Sequence, residues 1–161
     1  RSKMSVVVAA AQSLLATVLI PFVSPFQKKM SGYNWFCKQN IGNVAANALG
    51  SGIVITSGTN VPPVITPAVT SASTAMAGTF TPVADTASGE ADVVYVAIYD
   101  KSANAFIVKA ATATVATKAF TVSISDWSKA VGDTVFAFSG VTKTGLATQS
   151  VSNSVSQALA S

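Results

Sequence analysis

Residues 92–110 read DVVYVAIYDKSANAFIVKA, and their pattern decides the fold. Val94, Val96 and Ile98 alternate with Val93, Tyr95, Ala97 and Tyr99, so both faces of an extended segment are apolar. A strand of this kind is covered on both sides, as in a sandwich. The polar break Asp100-Lys101-Ser102-Ala103-Asn104 then supplies a turn, and 105–110 supplies a second strand, giving a hairpin.

Downstream of Gly50-Ser51-Gly52 the same period-two pattern recurs between Gly, Pro, Asn and Asp breaks. It predicts strands at 52–57, 66–74, 77–83, 92–99, 105–110, 118–124, 133–141 and 147–155. Seven strands after one extra strand describe an antiparallel β-sandwich. With a single cysteine, Cys37, an antibody-type disulfide pair is excluded, and a fibronectin type III/Ig-like sandwich is expected over 64–161. Thr59-Asn60-Val61-Pro62-Pro63 reads as a stiff linker, so 51–63 is an extra strand plus linker.

The front of the chain, 1–50, has helical rather than strand periodicity. Residues 4–26 carry no charge. Length alone permits a membrane span, but Gln12, Ser13, Thr17 and Ser24 interrupt the run and Pro21 and Pro25 break it. A helix buried within the protein, from Ser2 to Leu19 and stopping before Pro21, is the favoured reading. A second helix is expected to open at Ser24 as cap with Pro25 in its first turn. Phe26, Met30, Tyr33, Cys37, Ile41, Val44 and Ala48 would form its buried stripe, with Trp35 and Phe36 flanking it. The expected fold class is therefore α+β, two N-terminal helices followed by the sandwich.

Composition narrows function. Half of the 161 residues are hydrophobic and only 10% are charged, against roughly 25% in an average soluble protein. Hydroxyls and amides supply the remaining polarity, as in secreted or assembled proteins. Residues 1–60 hold Arg1, Lys3, Lys28, Lys29 and Lys38 without an acid, a charge of +5. The remainder sets five lysines against six acids, a charge of −1. Five cations spread over sixty residues form no dense patch, so nucleic acid is not an expected partner. The chain opens at Arg1 rather than a methionine, as a processed or excised chain would.

Catalytic chemistry lacks its usual parts. There is no histidine, which removes the commonest general base and metal ligand. Cys37 has no activating partner and belongs to the helix stripe. Asp85, Glu90 and Asp92 lie close in sequence but not at calcium-loop spacing. A Ser/Lys pair stays open as an alternative only because serines are plentiful. The expectation is no enzyme, no cofactor and no metal.

The front half resembles an uncharacterised domain family of Bacteroidota and their mobile elements. The resemblance rests on Arg1-Ser2-Lys3 before an apolar helix, on Met30-Ser31-Gly32-Tyr33-Asn34-Trp35-Phe36 with Asn40-Ile41 beyond it, and on Ile53-Val54-Ile55-Thr56-Ser57-Gly58. In the back half it rests on the Trp127 to Gly132-Asp133 spacing and a Ser-rich last strand near Ser150 to Ser154. A Gly- and Lys-rich leader typical of the family does not precede Arg1, and the prolines of the first helix sit differently. The resemblance implies the two-helix-plus-sandwich fold and no particular activity.

Together these readings predict a structural subunit of a self-assembling extracellular or cell-surface structure, most simply a filament, with a virion structural protein as a variant. Its partner is itself. The expected interface is the apolar front helix and the spare strand: Val6, Val7, Ala10, Leu14, Leu15, Val18, Leu19, Phe22, Ile53 and Ile55. The opposing physical reading folds helices and spare strand back onto their own sandwich. The alternative function is a surface adhesion module for glycan or protein, with Trp127 and Tyr99 as a sugar platform unless they are core. Membrane association is allowed but not favoured.

Overall fold

In the computed structural model, which describes residues 2–145 and 147–161, the chain forms three layers. Helices cover one face of a sheet, and a second sheet covers the other. The central strands are β5 (Glu90–Asp100) and β8 (Thr134–Lys143), paired antiparallel from Glu90 opposite Lys143 to Tyr99 opposite Thr134. Val94, Val96 and Ile98 of β5 join Val135 and Ala137 of β8 in the core between the sheets. Ala97 and Tyr99 join Phe136 and Phe138 in the core beneath the helices. The double-sided apolar pattern of 92–99 thus has a physical counterpart on each side.

The remaining strands are β1 (Val44–Ala45), β2 (Ala48–Leu49), β3 (Val64–Ile65), β4 (Ala75–Thr79), β6 (Ala105–Thr114), β7 (Ala119–Ser123), β9 (Thr148–Val151) and β10 (Val155–Ala158). Apart from the small β1–β2 hairpin, the strand order is β10-β8-β5-β6-β7-β4-β3, with β9 also on β8. The long β6 changes partner midway: Ala111 pairs with Val94 of β5, and Thr112 pairs with Thr121 of β7. This hand-over folds the strand path into an antiparallel sandwich that nearly closes as a barrel. Between β3 and β10 the gap is spanned by Gln157, whose amide donates to Ile65 O and accepts from Val69 N.

Several expected boundaries differ. The front helix does not stop before Pro21. It runs as α1 (Lys3–Leu14), capped by the Ser2 hydroxyl, and continues as a π-helical segment, Leu15–Val23, with Pro21 inside it. In a π turn bonding reaches back five residues, as from Ser24 N to Leu19 O. The wider turn draws the preceding carbonyls away from the ring and accommodates the missing N–H. Ser24–Phe26 is only one 3₁₀ turn, and the second helix, α2 (Gly32–Asn40), opens at Ser31 instead, whose hydroxyl accepts from Asn34 N at 3.1 Å. Ser24 still contributes, accepting from Gly32 N at 2.8 Å. Gly32 has to be glycine there, because a Cβ would collide with the Leu19 carbonyl. The buried face of α2 is Gly32, Trp35, Phe36 and Asn40, and the expected stripe through Tyr33 and Cys37 is its half-buried border.

The spare strand at 52–57 has no ladder of its own. One side chain does the work of a neighbouring strand. Asn40, fully buried, accepts from Val54 N at 2.9 Å and donates to Val54 O at 2.8 Å and Phe36 O at 3.0 Å. Ile55 N donates to Ser154 Oγ and Thr56 Oγ1 donates to Ser152 O, so the segment lies along its own β9–β10 edge. The expected strand 66–74 is irregular, since Pro67 interrupts it and Thr70 and Ser73 close a turn. The expected last strand 147–155 is split into β9 and β10 around Ser152 and Asn153. Replacing Asn40 by alanine strands the half-buried N–H and carbonyl of Val54. Urea unfolding is expected to show a loss of about 2–4 kcal/mol, and a loss below about 0.5 kcal/mol would contradict this role.

Candidate functional site

The ten residues expected at an assembly interface are turned inward. Val6, Val7, Ala10, Leu14, Val18, Leu19 and Ile55 are fully buried in this chain, Phe22 and Ile53 nearly so, and Leu15 is half-buried. All but Val6 belong to, or pack against, the core shared with Tyr99, Phe106, Phe136 and Phe138. Three polar contacts bolt the helical layer to the sheet. Asn104 donates to Val6 O at 3.0 Å, Ser13 Oγ accepts from Phe106 N at 2.8 Å, and Thr148 Oγ1 donates to Pro21 O at 2.8 Å. Those side chains are therefore not an outward face of this fold.

The outward face is a different set of residues on the same helix. Ser5, Ala9, Gln12, Ala16 and Thr17 are exposed, with Met4 and Ile20 more than half exposed at the two ends. The strip carries no charge. It leads into a groove where the π-helical segment crosses the uncovered end of the sheet, lined by Ala16, Thr17, Pro21, Tyr95, Val108 and Thr142 among others. Phe22 stands beside Tyr95 with ring centroids 4.8 Å apart, and Phe138 stacks on Tyr95 at 5.7 Å.

A second cleft, of about 350 Å³, lies over β9 between Phe26 and Gln27 on one side and Ser57, Gly58 and Thr59 on the other. Gly58 N donates to Asn153 Oδ1, and Asn60 donates from its backbone to Val151 O and from its amide to Ser150 Oγ. Gly58 lies so close to β9 that a Cβ would strike the Val151 carbonyl. Thr59, at the start of the expected linker 59–63, lines this cleft. Its sequence signal is weak, since scattered Gln, Ser and Thr residues are brought together only by the fold.

The sugar platform expected of Trp127 and Tyr99 is corrected by their burial. Trp127 is 5% exposed and Tyr99 0%. Tyr99 lies under the helices, where its hydroxyl accepts from Leu49 N at 2.9 Å and donates to Asn104. The Trp127 ring is packed in the inner core with the Lys109 ammonium 5.8 Å from its centroid. Neither ring offers a face to a ligand.

The ionisable groups organise loops. Asp85 accepts from Ala87 N and Ser88 Oγ, Glu90 accepts from Asp85 N, and Asp92 accepts from Val83 N and Ala84 N. These three acids thus shape the 83–90 loop, and no metal-holding group of three His, Cys, Asp or Glu occurs among the described residues. Hydrogen bonds from Ser102 hold the Asp100 carboxyl below its ordinary range, with the backbone N–H groups of Ala103 and Ser102 adding to this. Lys109 pairs with Asp126, and Lys129 donates to Ile124 O and Trp127 O, so both lysines serve backbone or turn. Burial pushes the Cys37 thiol up, away from the thiolate form. Alkylation of folded protein at neutral pH is expected to run roughly tenfold slower than in urea; equal rates would show an activated or unshielded thiol.

Compared with known proteins, the chain matches no family model, no curated protein and no solved structure.

Proposed function

We propose that this chain is a non-enzymatic structural subunit of an extracellular or cell-surface assembly, most simply a filament, whose subunits meet through the outer face of the front helix. The observation that carries the reading is the charge-free strip from Met4 to Ile20, continuous with the groove over Tyr95 and Val108. A helix on the surface of a freely diffusing protein usually presents charged residues to water. Here Lys3 and Lys28 bracket 24 residues without one. A second copy of the chain is the occupant we favour: the strip of one subunit set against a different neutral surface of the next is a heterologous contact, the kind that repeats into an open filament.

This differs from an interface through the inner face, which the sandwich already occupies. It also weighs against the membrane reading. One helical stretch, Lys3–Phe26, is long and apolar enough to span a bilayer, and half of its most apolar window is buried in the fold. Pulling it out would uncover Tyr99, Phe106, Phe136 and Phe138. At about 2–3 kcal/mol for each large side chain, that approaches the entire ~5–15 kcal/mol of a typical domain.

For the sandwich itself we favour an Ig/fibronectin type III-like Greek key. Counting from β3 and taking β9 and β10 as one interrupted strand, the first, second and fifth strands share one sheet. The third, fourth, sixth and seventh share the other. The immunoglobulin arrangement distributes its strands in this way, apart from the variable placement of the fourth. Low charge and a surface of hydroxyls and amides support a setting outside the cytoplasm.

Light scattering coupled to size exclusion tests the assembly. Mass is expected to rise above the monomer with concentration, without detergent. Met4→Lys and Ile20→Lys should return it toward monomer while unfolding free energy shifts by less than about 0.5 kcal/mol. A monomer at every concentration would overturn the proposal.

A further inference from the structure

The cleft over β9 has features of a ligand site that the assembly reading does not use. Around it amides and hydroxyls fasten the chain: Asn153 and Ser154 accept from the backbone N–H groups of Gly58 and Ile55, and the Asn60 amide donates to the Ser150 hydroxyl. Gly58 lets the 57–59 loop press onto β9, so loop and strand form one fixed wall and floor. Four further polar side chains line the cleft and are used by none of this. The amides of Gln27 and Gln149 and the hydroxyls of Ser57 and Thr59 make no hydrogen bond to any described residue. Beside them stands the half-buried ring of Phe26.

The chemistry of this set selects a class of ligand. Each amide offers a carbonyl acceptor and two N–H donors, and each hydroxyl is donor and acceptor at once. Among the described residues no charged side chain lines the cleft, so a phosphate or carboxylate would find no counter-ion in that lining. An apolar ligand would bury four unpaired polar groups at a cost for each. A molecule covered in neutral hydroxyls satisfies all four, and its C–H face can lie on the Phe26 ring as an apolar surface. The volume of about 350 Å³ falls within the range of small-molecule clefts. We infer that the cleft between Phe26–Gln27 and Ser57–Thr59 binds a neutral glycan, with Gln27 and Gln149 as its principal hydrogen-bonding residues. The cleft shares no lining residue with the Met4–Ile20 strip or its groove.

Titration of ¹⁵N-labelled full chain with neutral oligosaccharides tests this, using homo-oligomers of glucose, mannose, galactose and N-acetylglucosamine. At least one is expected to shift the side-chain amide signals of Gln27 and Gln149 saturably. Gln27→Ala and Gln149→Ala should each weaken binding about tenfold, leaving the other backbone signals in place. Met4→Lys and Ile20→Lys should leave binding unchanged, which separates failure here from failure of the assembly reading. No shift with any neutral oligosaccharide would overturn the inference. So would shifts elsewhere on the surface, unchanged affinity in both glutamine variants, or binding of acidic glycans or peptides alone.

Discussion

The fold depends on a sheet that is apolar on both faces. Val94, Val96 and Ile98 look into the space between the sheets, while Ala97 and Tyr99 look the other way, and Phe136 and Phe138 of β8 repeat the outward choice. A sheet of this composition cannot leave its second face to water, because the rings of Tyr99, Phe136 and Phe138, with Phe106 of β6 beside them, would be wetted together. The helical front is thus a third layer rather than an appendage. Its own need for cover and the sheet's need for cover are satisfied by the same contact.

That contact is apolar in energy and polar in registration. Hydrophobic burial does not choose where along the sheet a helix sits, since sliding by a residue changes buried area little. The Asn104 amide on Val6 O, the Ser13 hydroxyl on Phe106 N and Thr148 on Pro21 O choose it, because each partner is lost on sliding. Tyr99 extends the device, linking Leu49 N to the hairpin turn at Asn104. Asn104 takes a left-handed backbone there, with φ of 51°, a conformation that asparagine tolerates better than most residues.

Legibility in the sequence follows the same division. β5, β6, β7 and β8 could be read within a few residues because alternation and turn residues report burial directly. The double-sided pattern of 92–99 also announced that something covers each face. What it could not say is that the cover was the front helix, since pairing of distant surfaces leaves no local trace. Asn40 was equally hidden. An asparagine near a helix end reads as solvated or as a cap, and only the fold places Val54 against it. Ser24 followed by Pro25 satisfied every local rule for a helix start, yet the π-helical segment ends there and α2 begins at Ser31. Local capping signals mark where a helix can begin; packing of Gly32 against Leu19 decided where it does.

The candidate surfaces were the least legible, for a reason tied to composition. This chain uses serine, threonine, asparagine and glutamine as joinery, so the same residue types appear in buried contacts and at the surface. Thr56, Ser139 and Ser152 are buried and bonded, whereas Ser57 and Thr59, one and three positions beyond Thr56, line a cleft with unused hydroxyls. Nothing in the sequence separates the two uses. Position in the fold does so: Thr56 is covered where its hydroxyl reaches Ser152 O, whereas Ser57 and Thr59, on either side of Gly58, are exposed. A strand that is half fastener and half surface is what a low-charge protein needs. With few ions to organise water or partners, its neutral hydrogen-bonding groups both hold its layers together and remain, where left unpaired, available for recognition.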